Sequence, residues 1–245
     1  MSDATPTTLL YHSDSYVREF DARVVAVDAS AVALDRTAFF PGGGGQMADR
    51  GALVWEGGTA PLAGLRKNGE VVWHDLAPEG GALPAVGTTV HGQLDWDFRY
   101  HMMRTHTALH MLCGIIFRDF GAQVTGGQMY PDRARMDFSM STFTPECVRD
   151  IELRVNEAVA ADHPVKVYVL PREQAFEIPD LIRTKINLLP AEITQIRIVE
   201  IVGLDLQADG GTHVHSTREV GGVLVVKTEN KGKQNKRMEI ALVDV

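Results

Sequence analysis

Residues 101–121 read HMMRTHTALHMLCGIIFRDFG, and they separate two kinds of sequence. Leu109, Leu112, Ile116 and Phe120 recur at spacings of three, four and four. That is the period of an amphipathic helix, and Gly121 can end it. Upstream, from about Tyr16 to Trp96, the chain shows short β-type runs between turn signals: Ala22 to Val27, Ala31 to Leu34, Ala52 to Trp55, Val71 to Trp73 and Thr88 to Leu94. Asn68-Gly69 falls between two of these runs and is a strong hairpin signal. Many short strands without an intervening helix predict a small barrel or sandwich.

Downstream the pattern is mixed. Thr144-Pro145 is an N-cap followed by proline at the first helical position. Val148, Ile151, Val155 and Val159 then share one face until Pro164 stops the run. Val165 to Leu170, Ile196 to Val202, Val223 to Lys227 and Met238 to Val243 read as strands, with Arg172 to Phe176 and Pro190 to Ile193 as short helices or turns. The fold class is therefore α+β, with a boundary at about residue 98 between a small barrel or sandwich and a mixed second half.

Composition bounds the function. The 245 residues are 44% hydrophobic and 23% charged, ordinary values for a folded chain. The formal net charge is -8, so a generally basic nucleic-acid coat is excluded and any such site must be a local patch. Two cysteines, Cys113 and Cys147, are too few for a disulfide framework. No apolar run approaches the roughly 20 residues that span a bilayer. The polar first residues lack the apolar core of a signal peptide. These features point to a cytosolic protein with no membrane partner.

Four regions can carry chemistry. His106 and His110 are four apart on the predicted helix, so they share a face and can bind one metal ion. Asp209 and His213 are also four apart, with Gly210 and Gly211 between them arguing for a tight loop that folds both side chains toward one point. His215 is an alternative ligand in that loop. The run Pro41-Gly42-Gly43-Gly44-Gly45-Gln46 lacks the ending of a Walker motif. It is either a surface turn or a backbone that approaches a ligand closely. Lys227, Lys231, Lys233, Lys236 and Arg237 make a local cationic run, read as a solvated hairpin or as a phosphate-binding patch.

Taken together, these segments resemble the alanyl-tRNA editing proteins, the AlaX family, in its longer type. The resemblance rests on Thr37 to Gln46, on Arg104 to His110, on Arg183 to Pro190, on Gly210 to Val214 and on Lys227 to Gly232. It implies zinc bound by a His-x-x-x-His helix and a Cys-x-x-x-His loop. Here His106, His110 and His213 match, and Asp209 stands where the family has cysteine. Aspartate can bind zinc, though as a harder ligand with weaker selectivity. The implied fold places an N-terminal small β-barrel domain, residues 1–98, beside an α/β two-layer editing domain, residues 99–245. The implied activity is hydrolysis of tRNA(Ala) mischarged with serine or glycine, without ATP. Gly43, Gly44, Gln46, Thr107 and Thr212 are then candidate substrate contacts, and Lys227, Lys231, Lys233, Lys236 and Arg237 candidate tRNA contacts. Two other readings stay open at this level: ester hydrolysis on another aminoacyl-tRNA, and a zinc-stabilised RNA-binding module without turnover.

Overall fold

The structure is a computed structural model that describes residues 5–78, 81–186 and 189–244. The chain divides into two compact units, Met1–Tyr100 and His101–Val245.

In the first unit the strands are β1 (Thr8–Leu9), β2 (Glu19–Asp28), β3 (Ala31–Leu34), β4 (Arg36–Thr37), β5 (Gly51–Trp55), β6 (Gly58–Asn68), β7 (Val71–Leu76) and β8 (Thr89–Leu94). Six of them close an antiparallel barrel in the order β2-β3-β7-β6-β5-β8. Phe20, Val24, Val32, Leu34, Phe39, Leu53 and Val90 fill its core. The Asn68-Gly69 turn joins β6 to β7 in register Asn68↔Val71, with Gly69 at φ 59. The partner strand differs from the one expected. β7 pairs with β6, a run that Pro61 and Gly64 disguise, and not with Ala52 to Trp55, which forms β5.

Helix α1 (Trp96–Phe120) starts five residues earlier than the sequence period suggests. Asp95 caps it, its carboxylate accepting from the Phe98 N–H at 3.2 Å. Gly121, at φ 64, closes it by donating its N–H to the Phe117 carbonyl. From Met102 to Ile116 every residue of α1 is buried, so the helix is covered all round and not only on the apolar face that the amphipathic period marks. Its polar residues, Arg104 to Thr107 and His110, are interior.

The rest of the second unit is β9 (Val124–Met129), β10 (Arg133–Phe138), α2 (Pro145–Ala160), β11 (Val165–Pro171), α3 (Arg172–Ala175), β12 (Gln195–Ile201), β13 (Asp205–Ala208), β14 (Gly222–Gly232) and β15 (Asn235–Val243). One sheet has the order β14-β15-β10-β9 and the other β11-β12-β13. Thr144 caps α2 as predicted, accepting from Cys147 N–H at 3.2 Å. Residues 187 and 188 of the Arg183 to Pro190 segment lie outside the described residues.

Candidate metal centre

Strand β13 sets up one half of the site. Its sequence alternates, Asp205-Leu206-Gln207-Ala208-Asp209, so polar side chains fall on one face and apolar ones on the other. Leu206 and Ala208 pack against a core containing Ile196 and Ile198. The polar face meets α1. Pairing with β12 runs from Ile201↔Asp205 to Ile198↔Ala208. One step further, the Asp209 N–H donates to the Arg197 carbonyl at 3.1 Å. Arg197 Nη1 in turn donates to the Asp209 carbonyl at 3.0 Å. Gly210-Gly211 then turns the chain back, with the Gly211 N–H bonded to Asp209 Oδ2 at 2.6 Å.

Helix α1 supplies the other half. A rise of about 12 Å over eight helical residues matches about 13 Å over four strand residues. Accordingly His106 meets Asp209 near one end of β13, and Gly114 meets Asp205 near the other. A Cβ on Gly114 would sit 2.8 Å from both Asp205 Cβ and the Leu204 carbonyl oxygen. Glycine here is therefore required by close approach.

The result is a convergence of His106, His110, Asp209 and His213, whose ligand atoms all lie within 4.8 Å of one another. His106 Nε2 lies 3.5 Å from Asp209 Oδ1, and His213 Nε2 lies 3.1 Å from Asp209 Oδ2. Ligand atoms about 2.0–2.2 Å from a tetrahedral ion are separated by roughly 3.4 Å. The donor set is therefore of a type and spread that could hold a metal ion. All three histidines are buried.

Electrostatics agree with that fit. Burial pushes the His106 imidazole down to about 4, against the pull of Asp209. Burial, with the neighbouring His106 charge, drives His213 well below its ordinary value. Burial would raise the Asp209 carboxyl, but the surrounding imidazoles, His106 first, outweigh it and hold the acid well below the carboxylate range. Burial also opposes charge on His110, where the carboxylates of Asp205 and Asp209 prevail and raise it. Two imidazoles that burial holds uncharged, His106 and His213, beside a carboxylate that stays ionised are what cation binding needs.

The remaining ring nitrogens are also addressed. Thr107 Oγ1 lies 3.1 Å from His213 Nδ1 and accepts from the Val214 N–H. His106 hydrogen-bonds the Thr212 backbone. His110 Nδ1 faces Asp205 Oδ2 at 3.2 Å. Thr107 and Thr212, expected to touch substrate, are fully buried. Thr107 turns its hydroxyl toward His213, and Thr212 serves His106 through its backbone. His215 is exposed and outside the four-residue group. Cys113 is buried, with its thiol pushed up by desolvation, so it is an inert core residue. Asp205, Arg183 and Arg197 are absent from the residues expected from sequence. The period-two alternation of β13 is the signal that could have found Asp205.

The glycine loop belongs to the first unit. Gly43 and Gln46 exchange both backbone hydrogen bonds, at 3.0 and 2.9 Å, around Gly44 (φ 59) and Gly45 (φ 90). A Cβ on Gly43 or Gly44 would meet nothing within 4 Å, so here the left-handed backbone, rather than close approach, calls for glycine. Gln46 is buried, whereas Gly43 and Gly44 are exposed. The base of the loop is clamped. Asp49 accepts from the Phe40 N–H at 2.6 Å, and the fully buried Arg99 binds Asp49 and the Ala38 and Ser15 carbonyls.

The cationic run lies on the β14–β15 hairpin, where Gly232 pairs with Asn235 around Lys233 and Gln234. It is less open than its composition suggests. Lys227 pairs with Glu229, and Arg237 binds both oxygens of Asp137 at 2.7 and 2.9 Å. Lys236 is buried, its amino group bonded to Asn230 and the Gly232 carbonyl. Lys231 and Lys233 are exposed at the tip.

Two family models match the chain. One, described as tRNA synthetases class II (A), covers residues 8–98. The other, the threonyl and alanyl tRNA synthetase second additional domain, covers residues 196–239. Among similar curated proteins is the alanyl-tRNA editing protein AlaX-M of Saccharolobus solfataricus, 42% identical over 95% of this chain and 97% of its own. The AlaX-M protein of Methanosarcina mazei is 41% identical over 97% of both. The alanine–tRNA ligase of Thermococcus kodakarensis is 38% identical over 94% of this chain but only 25% of the ligase. Among the described residues, no helix is long and apolar enough to cross a membrane.

Proposed function

The chain belongs to the alanyl-tRNA editing protein AlaX-M family, and on that premise we propose that it hydrolyses misacylated tRNA(Ala) in trans as an aminoacyl-tRNA deacylase. The substrate is seryl-tRNA(Ala), with the glycyl form as a second substrate, and the reaction takes place in the cytoplasm. Breaking the ester with water needs no ATP. The observation that carries the reading is the convergence of three buried imidazoles and one carboxylate in a chain of this family.

The metal is zinc, one ion per chain, held by His106, His110, Asp209 and His213. When bound, it supplies Lewis acidity that can polarise a carbonyl oxygen or acidify a water. The protein's own contribution is preorganisation. Burial keeps His106 and His213 neutral, so their lone pairs stay available. Thr107 and the Thr212 backbone hold those two rings. Arg197 ties the Asp209 backbone to β12, so the carboxylate stays on the site. Asp209 in place of the family's cysteine keeps a negative ligand while making it harder.

We assign residues 1–98 to a barrel domain that offers the exposed glycine turn at Gly43 and Gly44 to substrate, and residues 99–245 to the editing domain. Lys231 and Lys233 contact tRNA phosphates, which position the polyanion without reading its bases. Lys227, Lys236 and Arg237 serve the hairpin itself. A site that hydrogen-bonds the serine hydroxyl rejects alanine, because its polar groups would then be left unpaired.

The test is deacylation of seryl-, glycyl- and alanyl-tRNA(Ala), with seryl-tRNA(Thr) as a control for the tRNA. The reading expects turnover of the first two and sparing of the others. Equal rates on seryl-tRNA(Thr) would move the activity to a different editing reaction.

A further inference from the structure

Asp205 lies beneath the metal centre with its side chain entirely buried. It is outside the four-residue group, and the functional reading above gives it no role. Its setting is specific. Gln207 Nε2 donates to Oδ2 at 2.6 Å, and Arg183 Nε donates to Oδ1 at 3.4 Å. The Arg183 guanidinium is itself stacked 3.9 Å from the centre of the Phe117 ring. Gly114 brings α1 so close that the strand bearing Asp205 has no room for a further carbon between them. The carboxylate is therefore fixed in place.

What it faces is His110. Among the described residues, His110 Nδ1 is one of the few buried side-chain nitrogens without a hydrogen bond of good geometry, yet Asp205 Oδ2 lies only 3.2 Å away. A neutral imidazole carries one proton on two nitrogens. Whichever nitrogen finds an acceptor keeps that proton, and the other presents its lone pair. An ionised carboxylate is acceptor-only, so it can take only the protonated nitrogen. With Nδ1 turned to Asp205, Nε2 is left for the group formed by His106, Asp209 and His213.

We propose that Asp205 is a positioning residue for the metal centre: it accepts the Nδ1 proton of His110 and fixes the tautomer whose Nε2 lone pair points into the site. Gln207 and Arg183 hold Asp205 in turn. The inference rests on the metal-binding reading above. Outer partners of this kind typically contribute about 10–100-fold to metal affinity.

The test uses the full chain. Nitrogen-15 NMR of the metal-free wild type in mildly alkaline buffer reads the His110 tautomer directly. The expected state is protonation at Nδ1; protonation at Nε2 overturns the inference whatever any variant does. Cobalt(II) titration then compares wild type with Asp205→Asn, which keeps the shape and removes the charge. Affinity should fall about 10–100-fold in the variant, with a mixed His110 tautomer and an unchanged helical circular dichroism spectrum. Equal affinity and an unchanged tautomer in a folded variant would also overturn it. If the wild type fails to bind cobalt at all, the metal reading falls and this inference falls with it. That outcome is distinct from a wild type and variant that bind alike.

Discussion

His74 lies wholly inside the barrel, its Nε2 2.9 Å from Thr37 Oγ1 and its Nδ1 3.3 Å from the Val32 carbonyl. Burial pushes its proton affinity down to about 4. The folded value is below the unfolded one, so between pH 6.5 and 4 the unfolded chain binds the extra proton. Stability is therefore lost as pH falls through that window, by on the order of 3 kcal/mol. Urea unfolding from pH 7 to pH 4 should show at least this loss, since His106 and His213 are lowered too, and His74→Gln should make the slope shallower; an equal slope in the variant would assign the acid sensitivity elsewhere. Asp209 makes a second residue-level case. Asp209→Ala should weaken metal binding at least tenfold, whereas Asp209→Cys should shift the preference from manganese toward cadmium, the softer ion. Competition titrations that leave both variants like wild type would remove Asp209 from the ligand set. His106 and His110 were legible because a helical pair at spacing four declares a shared face, and His213 because Gly210-Gly211 folds it back with Asp209. Asp205 was not, since the stretch that leads into Gly210-Gly211 looks like loop until the alternation of Asp205, Leu206, Gln207 and Ala208 is recognised as a strand.

At the scale of elements, α1 and β13 carry the account. Their contact is tightest at Gly114, where an added Cβ would meet backbone and a Cβ, neither of which can swing away. Gly114→Ala gains about 1 kcal/mol of helix propensity but faces an overpacking cost of about 1–3 kcal/mol. The cost should win. Urea unfolding should show net destabilisation of about 1 kcal/mol, with weaker cobalt binding as α1 shifts from β13. A stabilised variant with unchanged affinity would mean that this approach does not set the site. The caps of α1 and α2 follow from local chemistry, so Thr144-Pro145 and Gly121 could be read directly. Strands β6 and β9 could not, because Pro61 and Gly64 in one and Gly126-Gly127 in the other weaken the β signal that tertiary pairing overrides. β10 did carry a signal. Ala134, Met136 and Phe138 alternate with charged residues and are buried.

At the scale of the whole molecule, a chain of net charge -8 acts on a polyanion. That demands a local reversal of sign, and the tip of the β14–β15 hairpin offers Lys231 and Lys233. The charge run was visible in the sequence, but the internal partners of Lys227, Lys236 and Arg237 depend on pairing between strands and were not. Lys231→Ala with Lys233→Ala should raise KM for charged tRNA and lower the salt slope of binding by about 0.7–0.9 per lost contact. Metal content should not change. An unaltered slope would place the tRNA on another face.

The most direct measurement of the central claim is turnover of seryl-tRNA(Ala) by wild type and by a His106→Ala, His110→Ala double variant, with elemental analysis of the same samples. The account predicts one divalent ion per chain and multiple turnover in the wild type, with both lost together in a variant that still folds. Hydrolysis at the wild-type rate by the metal-free double variant would contradict it.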